Sequence, residues 1–364
     1  MKFIDLFAGI GGFRFGMERA GHECVGFCEI DPFARKSYKA IHNTKGEFEF
    51  HDITAVTDEL VRGIGRVDVI CGGFPCQAFS VAGKRAGFED TRGTLFFEIA
   101  RFASILRPKY LFLENVTGLL SHDNGNTFET ILGALDELGY DAEWQVFNSK
   151  NFGVPQNRER VFIIGHLRGT GGRAIFPFRG ESEKSSNEQK IDIIGNTKNP
   201  QNKSQGTREI VHSSRGIVGA LTATDYKGPK QVAIPVLTPD REEKRQNGRR
   251  FKTDGEPMFT LTAQDKHGVV VNGIYTGTSE NFKRPPLKNI SRTLKANNHD
   301  AGIVFESDGI HIRKLTPREC WRLQGFPDWA FDKASKVNSD SQLYKQAGNS
   351  VTVNVIEAIA RRLT

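Results

Sequence analysis

Short apolar runs alternate with amphipathic stretches over the first 170 residues of the chain. Runs typical of buried strands cover Phe3–Phe7, Cys24–Glu29, Val67–Cys71, Tyr110–Leu113 and Val161–Ile164. Helical periodicity marks FRFGMERAG, Pro32–Ile41 and Thr127–Leu138. Strands that alternate with helices predict a doubly wound, mostly parallel α/β sheet, whose ligands bind at the carboxyl ends of the strands. The loops AGIGG, EID, GGFPCQ and ENV follow predicted strands, so we expect the site there.

The pattern changes after about residue 170, where polar segments rich in Gly, Asn and Ser are typical of connections. A weak repeat then occurs as ALTATD at 220–225, TLTAQD at 260–265 and TLKANN at 293–298. It indicates either three similar β-hairpins in a small β-rich domain or loops that present Thr, Asp and Asn to a groove. Two further helices are predicted over Thr316–Leu323 and Val351–Arg362.

Composition and charge narrow the class of protein. The 364 residues allow one large domain or two ordinary ones, and no apolar run is long enough for a membrane span. The five cysteines suggest no disulfide framework and no CxxC metal pair, and the N-terminus does not resemble a signal peptide, so we expect a cytoplasmic protein. The net charge of +7 divides into −3 over residues 1–170 and +10 over residues 171–364. Such an excess indicates either nucleic-acid binding or a solvated basic surface.

A glycine-rich loop and two acidic residues predict a site for an adenosine-containing cofactor. AGIGG lies between a strand and a helix, where backbone can approach a ligand closely. Glu29 ends the next strand 20 residues after Gly9, a position from which a carboxylate can accept hydrogen bonds from ribose hydroxyls. Asp52 is placed to accept one from an adenine amino group. Because the full GxGxxG pattern is absent, NAD, a nucleoside without pyrophosphate, and a purely structural glycine turn all stay open.

Cys76 is the candidate nucleophile. It lies in the polar loop GGFPCQAFS after a strand, whereas a cysteine that only fills space would sit in an apolar run. Glu114 ends another strand, and Arg158 and Arg160 precede a further one. A thiol, a carboxyl and two guanidinium groups at one edge of a sheet form a coherent catalytic set.

These segments resemble the DNA (cytosine-5)-methyltransferases of bacterial restriction–modification systems. The matching motifs follow the family's order: FIDLFAGIGGFRFGME, CEID, DIT, GGFPCQAFSVAG, TRGTLFF, ENV, QNRER, RKLTPREC with RLQGFP, and QAGNSV. The resemblance implies a class I methyltransferase fold, a Rossmann-like doubly wound sheet, with a smaller β-rich target-recognition domain. We expect the catalytic and cofactor-binding domain in residues 1–180 plus 331–364, and the recognition domain in residues 181–330.

The resemblance also implies that the cofactor is S-adenosyl-L-methionine (AdoMet). Glu29 would bind its ribose, and Asp52 and Ile53 would lie near its adenine. Ile30 stands where many members carry an aromatic residue, so adenine packing would be aliphatic. The other implied cofactor contacts are Phe7, Ala8, Gly9, Gly11, Gly12, Leu95, Asn349 and Ser350. The implied chemistry requires no metal.

The implied reaction transfers a methyl group to C5 of a cytosine in a specific duplex DNA site. The Cys76 thiolate would attack C6, protonated Glu114 would hold N3, Arg160 would fix Glu114 or the base carbonyl, and Arg158 would help to orient the site. The cytosine must first leave the duplex, and the loop from Ser80 to Gly93 would close over it. The implied DNA contacts are Gln77, Ser80, Lys84, Arg92, Thr260 and Thr293. Thr293 is the preferred counterpart of the family's Thr-Leu pair, and Thr260 is the second choice.

Three other functions compete with DNA cytosine methylation as interpretations of the sequence. An RNA methyltransferase acting on a tRNA anticodon loop belongs to the same family. A DNA-binding regulator without catalysis would have no need of Cys76, Glu114 and Arg160, and a nicotinamide oxidoreductase leaves the PCQ and ENV loops unexplained. The expected partners are double-stranded DNA and a restriction endonuclease, and we expect a monomer.

Overall fold

A computed structural model describes residues 1–75, 95–178, 193–196, 210–213, 217–227, 229–235, 273–275, 302–304 and 310–363. The chain forms two compact units. The first comprises residues 1–188, 219–227 and 317–364, and the second comprises residues 189–218 and 228–316. The first unit thus includes residues 181–188, 219–227 and 317–330, which the sequence assigns to the recognition domain. Residues 317–330 belong there because Trp321 is buried and donates its indole N–H to the Leu343 carbonyl at 3.0 Å.

A mixed seven-stranded sheet forms the centre of the first unit. The strands of this unit are β1 Lys2–Leu6, β2 Glu23–Cys28, β3 Phe48–Phe50, β4 Val69–Gly73, β5 Tyr110–Val116, β6 Tyr140–Asn148, the two-residue β7 Gln156–Asn157, and β8 Glu159–Leu167. The order in the sheet is β3-β2-β1-β4-β5-β8-β6. Neighbours in the sheet are parallel except that β8 is antiparallel to both β5 and β6. The five predicted strands and the mostly parallel sheet are confirmed, and β3 and β6 are additional.

Helices cover both faces of this sheet. They are α1 Gly12–Arg19, α2 Pro32–Ile41, α3 Asp58–Gly63, α4 Leu95–Leu106, α5 Asn126–Glu137, α6 Pro317–Leu323, α7 Asp328–Ala334, α8 Asp340–Asn349 and α9 Val353–Ala360. Because helices lie on both sides, the central strands are apolar on both faces. Phe3, Ile4 and Leu6 of β1, for example, are all fully buried.

Two apolar clusters pack these layers together. On one face, Ile4, Ile70 and Leu113 of the sheet belong to a cluster with residues of α4 and α5, among them Ile99 and Ile131. The other face carries a cluster of sheet, α1 and α9 residues, which are Phe3, Val69, Phe112, Phe162, Phe13, Met17, Ile356 and Ile359 among others. The sheet is therefore rigidly held from both sides, and its carboxyl edge forms a fixed platform for side chains.

The described part of the second unit contains short strands. They are β9 Ile193–Asn196, β10 Ile210–Ser213, β11 Val218–Gly219 at its boundary, β12 Gln231–Pro235, β13 Gly273–Tyr275, β14 Gly302–Val304 and β15 Ile310–Lys314. Four of them form a sheet in the order β15-β12-β10-β9, and β13 pairs antiparallel with β14. This agrees with the predicted smaller β-rich domain.

Candidate active site

A cavity of about 410 Å³ opens at the carboxyl ends of β1, β2, β4 and β5. This is the sheet edge at which the sequence predicts the site. Its lining contains the predicted residues Phe7, Gly9, Glu29, Glu114, Arg158, Arg160 and Asn349. The other lining residues are Ile10, Asp31, Ala34, Gly73, Phe74, Pro75, Asn115, Val116, Lys345, Gln346 and Gly348.

The glycine loop after β1 turns sharply at this cavity. Phe7, Gly9 and Gly11 have φ values of 58°, 57° and 87°, in the left-handed region that favours glycine. The Ala8 N–H donates to the carbonyl of Cys28 at 3.0 Å. The Gly9 N–H donates to Glu29 Oε2 at 2.7 Å. The structure therefore joins the two predicted cofactor elements, the loop and the acidic residue after β2.

Two neighbouring carboxylates form the next part of the cavity wall. Glu29 Oε1 accepts the Asp31 N–H at 2.7 Å, and burial raises the pKa of Glu29 although its N–H donors oppose the shift. Asp31 Oδ2 accepts from Lys345 Nζ at 2.7 Å. Burial works to raise the pKa of Asp31, but the hydrogen bond from Lys345 and those from the first N–H groups of α2 keep it below its usual value. This ion pair ties α8 to the start of α2 beside Glu29.

Glu114 and Arg160 form an ion pair in the same cavity. Arg160 Nε lies 3.0 Å from Glu114 Oε1, and both side chains are largely buried. Burial raises the pKa of Glu114, whereas the positive charges of Arg160 and Arg158 lower it. A carboxyl with a raised pKa keeps its proton to a higher pH than a free one, so Glu114 is suited to donate a hydrogen bond to a ligand.

Arg158 is held by backbone carbonyls. Its Nη1 donates to Leu221 O at 2.9 Å, and its Nη2 donates to Ser350 O at 2.9 Å and Gly348 O at 3.3 Å. Burial first and the charge of Arg160 second lower the pKa of Arg158 to about 10. The QNRER motif is thereby tied to the QAGNSV motif and to the first of the three ALTATD-type repeats.

Asn115 anchors the backbone that leaves β4. Its Nδ2 donates to the Phe74 carbonyl at 2.9 Å, and its Oδ1 accepts the Val116 N–H at 2.8 Å. Gly73 lies against Glu114, since a Cβ added there would stand 3.2 Å from Glu114 Oε2. The exit of β4 is therefore beside the Glu114 carboxyl.

The other predicted cofactor residues near the glycine loop and elsewhere are not among the residues that line the cavity. Ala8 is buried, Leu95 begins α4, and Ile30 is 59 % exposed. Gly11 is the residue before α1. Gly12 packs so closely on Ser350 that an added Cβ would lie 2.7 Å from the Ser350 hydroxyl. Their contacts with a cofactor remain predictions.

Asp52 and Ile53 have partners within the protein. Asp52 Oδ1 accepts from the N–H of Thr54 at 3.0 Å and from its hydroxyl at 2.7 Å. Ile53 is buried in the apolar cluster of α4 and α5. Neither residue lines the cavity, and their expected position near adenine remains a prediction.

The predicted nucleophile and DNA contacts lie outside the described residues. They are Cys76, Gln77, Ser80, Lys84, Arg92, Thr260 and Thr293. Of the three repeats only the first, with Leu221, is described. The four described cysteines, Cys24, Cys28, Cys71 and Cys320, are buried.

Four residues of the cavity wall were not predicted from the sequence motifs: Asp31, Asn115, Lys345 and Gln346. Asp31 and Asn115 follow Glu29 and Glu114 closely, and the EID and ENV loops could have drawn attention to them. Lys345 and Gln346 precede Asn349 by about one helical turn on α8, so a prediction of that helix would have put all three on one face. Their partners are Asp31, which precedes α2, and Ser37 on α2. These lie 314 and 309 residues earlier in the chain, and no local pattern reveals such a pairing.

Two kinds of feature are absent from the described ranges. No group of three or more His, Cys, Asp or Glu side chains there is arranged to hold a metal ion. Among the described helices, none combines the length and the apolar character that crossing a bilayer requires.

Solved structures share the whole fold. The Entamoeba histolytica methyltransferase EhMeth matches with a TM-score of 0.58 at 18% identity, over 100% of this chain and 97% of that one. The S. pombe Dnmt2 methyltransferase matches with a TM-score of 0.58 at 19% identity, over 98% and 96% of the two chains. The mixed seven-stranded sheet is thus the class I methyltransferase fold that the sequence predicts.

The family follows from sequence comparison. The model of C-5 cytosine-specific DNA methylases matches residues 1–364, and the chain belongs to this family of DNA (cytosine-5)-methyltransferases. The orphan methyltransferase M.SPRI of Bacillus phage SPR is 34% identical over 100% of this chain and 97% of its own. The type II methyltransferase M.HpaII of Haemophilus parainfluenzae is 38% identical over 99% and 88%. The predicted family and enzyme class are confirmed.

Proposed function

We propose that this methyltransferase uses AdoMet to methylate C5 of a cytosine that has left the stack of a specific duplex DNA site. The observation that carries the proposal is the Glu114–Arg160 ion pair in the cavity that also contains Gly9 and Glu29. One cavity thus offers a proton donor for a base and a carboxylate for a ribose. A cofactor and a base bound there would lie side by side.

The residues present fit AdoMet. Glu29 accepts one backbone N–H at each carboxylate oxygen, which leaves further lone pairs for ribose hydroxyls. The Gln346 Nε2 is buried and has no partner among the described atoms, so it can donate to a polar group of a ligand. Bound AdoMet supplies an electrophilic methyl group on a sulfonium.

Glu114 and Arg160 would act on the base. Cytosine C5 is a weak nucleophile until sulfur adds at C6, and negative charge then develops toward N3. Protonated Glu114 would donate to N3 and stabilise that charge, because its buried position favours the neutral form. Arg160 would hold the carboxyl in its orientation through the 3.0 Å contact.

Cys76 would supply the sulfur nucleophile. It follows Phe74 by two residues, and Asn115 anchors the Phe74 carbonyl. C5 would then take the methyl group, which would leave S-adenosylhomocysteine behind. A base would afterwards remove the C5 proton, and the thiolate would leave C6. The predicted roles of Arg158 and of the DNA contacts Gln77, Ser80, Lys84, Arg92, Thr260 and Thr293 belong to the same proposal.

The proposed mechanism requires base flipping, because the Cys76 sulfur cannot reach C6 of a cytosine that is still stacked in the duplex. Unpairing costs a few kcal/mol, and the basic half of the chain, with a net charge of +10, would hold the duplex while this occurs. We also propose a monomeric enzyme whose methylation protects the site from a restriction endonuclease. The type II name of M.HpaII supports that pairing.

Covalent trapping tests the mechanism. Duplex oligonucleotides with 5-fluorocytosine, incubated with protein and AdoMet, are expected to give an adduct that peptide mapping assigns to Cys76. The Cys76→Ser variant should give none while still binding AdoMet in calorimetry. An adduct at another residue, or methyl transfer at the wild-type rate by Cys76→Ser, would refute the role of Cys76.

A substrate comparison tests the second candidate within the family. Transfer of tritiated methyl groups to duplex DNA and to tRNA is measured side by side with wild-type protein. We expect incorporation into DNA, with bisulfite sequencing locating the site. Incorporation into tRNA alone would refute the DNA proposal, and resistance of the methylated DNA to an endonuclease of that site would support the protective role.

A further inference from the structure

The His42 ring packs against the glycine loop that follows β1. His42 follows α2, its N–H donates to the Tyr38 carbonyl, and its ring is only 8 % exposed. The ring packs between Phe15, with centroids 4.8 Å apart, and Tyr38, at 4.7 Å. These two contacts fix the plane of the His42 ring, so the Nε2 edge keeps one orientation toward the glycine loop.

Two contacts connect this edge to the loop. A Cβ added to Gly11 would overlap His42 Nε2, which shows that the ring occupies the space of a side chain at position 11. The same Nε2 lies 3.4 Å from the carbonyl of Ile10, which lines the cavity. Because a carbonyl oxygen only accepts hydrogen bonds, Nε2 must carry the hydrogen.

Backbone hydrogen bonds also hold the loop at this end, since the Gly11 N–H donates to the Ala8 carbonyl at 2.8 Å and the Gly11 carbonyl accepts from the Phe15 N–H at 2.9 Å. Gly11 precedes α1 without a side chain that could cap the helix. At the other end, Ala8 and Gly9 are held by Cys28 and Glu29. His42 adds a side-chain contact at Ile10 and Gly11 to these backbone hydrogen bonds.

We infer that His42 is a positioning residue for the cofactor: as the neutral Nε2–H tautomer, it holds Ile10 and Gly11 so that the loop keeps its shape for AdoMet. The inference rests on the proposed use of AdoMet. Burial first, and the charges of Arg14 and Lys333 besides, lower the pKa of His42 to about 3, which agrees with a neutral ring. His42 itself does not line the cavity.

Paired substitutions of similar volume test the role. His42→Leu removes the donor, and His42→Gln retains an N–H at a similar reach. We expect His42→Leu to raise the AdoMet dissociation constant about tenfold, as loss of one buried hydrogen bond allows, with kcat at saturating AdoMet within about threefold. His42→Gln should recover most of the affinity.

His22→Gln is the matched control, because His22 is a partly buried histidine bonded to the Ala360 carbonyl, away from the loop. It should leave AdoMet affinity unchanged. Wild-type AdoMet affinity in folded His42→Leu, or equal losses in His42→Leu and His42→Gln, would overturn the inference.

The tautomer gives a readout that does not depend on AdoMet. Nitrogen-15 correlation spectra of the free protein should show His42 protonated at Nε2 alone and unchanged between pH 5 and 8. A titrating His42 or the Nδ1–H tautomer would refute the inference. If wild-type protein shows the expected tautomer but binds no AdoMet, the proposed function fails instead.

Discussion

Arg160 controls how firmly Glu114 keeps its proton. The positive charge 3.0 Å away stabilises the ionised carboxylate and so opposes the rise in pKa that burial causes. Removing that charge with Arg160→Met should raise the pKa of Glu114 further. In the proposed mechanism the protonated form acts on the base, so activity should be lost as pH rises through this pKa. We therefore expect the alkaline limb of the kcat profile to move to higher pH.

The same variant should lower kcat at pH 7.5 about tenfold or more, because Glu114 loses the partner that orients it. The measurement is methyl transfer to duplex DNA between pH 6 and 10 at saturating AdoMet. Arg168→Met is the control, since Arg168 has exposed ion pairs with Asp136 and Asp141. A limb that stays in place, or moves to lower pH, would contradict the electrostatic role of Arg160.

At the residue scale, sequence motifs point to the side chains that line the cavity better than to the side chains that hold the cavity wall in place. The motifs name Glu29, Glu114 and Arg160, and the structure gathers all three around one cavity. Lys345 and its partner Asp31 are 314 residues apart, so only the folded chain reveals the pair. His42 escapes notice for a related reason: its role depends on a loop 30 residues earlier in the chain.

At the element scale, two helical glycines show how packing decides the effect of one methyl group. Gly133 lies on α5, where an added Cβ would meet nothing within 4 Å. Gly16 lies on α1, where a Cβ would stand 2.5 Å from Ile356 and 2.8 Å from the Glu357 backbone nitrogen of α9. The close approach of α1 and α9 therefore requires glycine at position 16.

We expect opposite changes in the free energy of unfolding. Gly133→Ala should increase it by about 0.5–1 kcal/mol, because alanine favours the helix. Gly16→Ala should decrease it by about 1–3 kcal/mol, because the methyl group forces the two helices apart. Urea unfolding followed by circular dichroism measures both. A Gly16→Ala protein as stable as Gly133→Ala would show that α1 and α9 do not pack this closely.

The elements themselves were predictable in proportion to their burial. The strands with continuous apolar runs, such as β1 and β4, were found from the sequence to within two residues. β6 was missed because it lies at the sheet edge, and its exposed Trp144 and Val146 interrupt the buried pattern. β3 is only three residues long, too short to show a period.

At the scale of the whole molecule, the folded core suppresses thiol ionisation. Burial raises the pKa of both Cys24 and Cys28 to about 12, and it raises that of Cys71 well above its usual value. In the unfolded chain such thiols lose their protons near pH 8.5. A group whose folded pKa is raised stabilises the fold below its unfolded pKa, and that contribution is lost as pH rises.

The free energy of unfolding should therefore fall between about pH 8.5 and 10, by up to about 1.4 kcal/mol per pH unit for each buried thiol. Urea unfolding at pH 8, 9 and 10 measures the slope. Cys28→Ala lowers the stability at every pH because it leaves a cavity, but it should also reduce the slope, since one ionising group is gone. An equal free energy of unfolding at pH 8 and pH 10 would contradict this expectation. It would mean that the three thiols ionise in the folded protein and that solvent reaches the core around them.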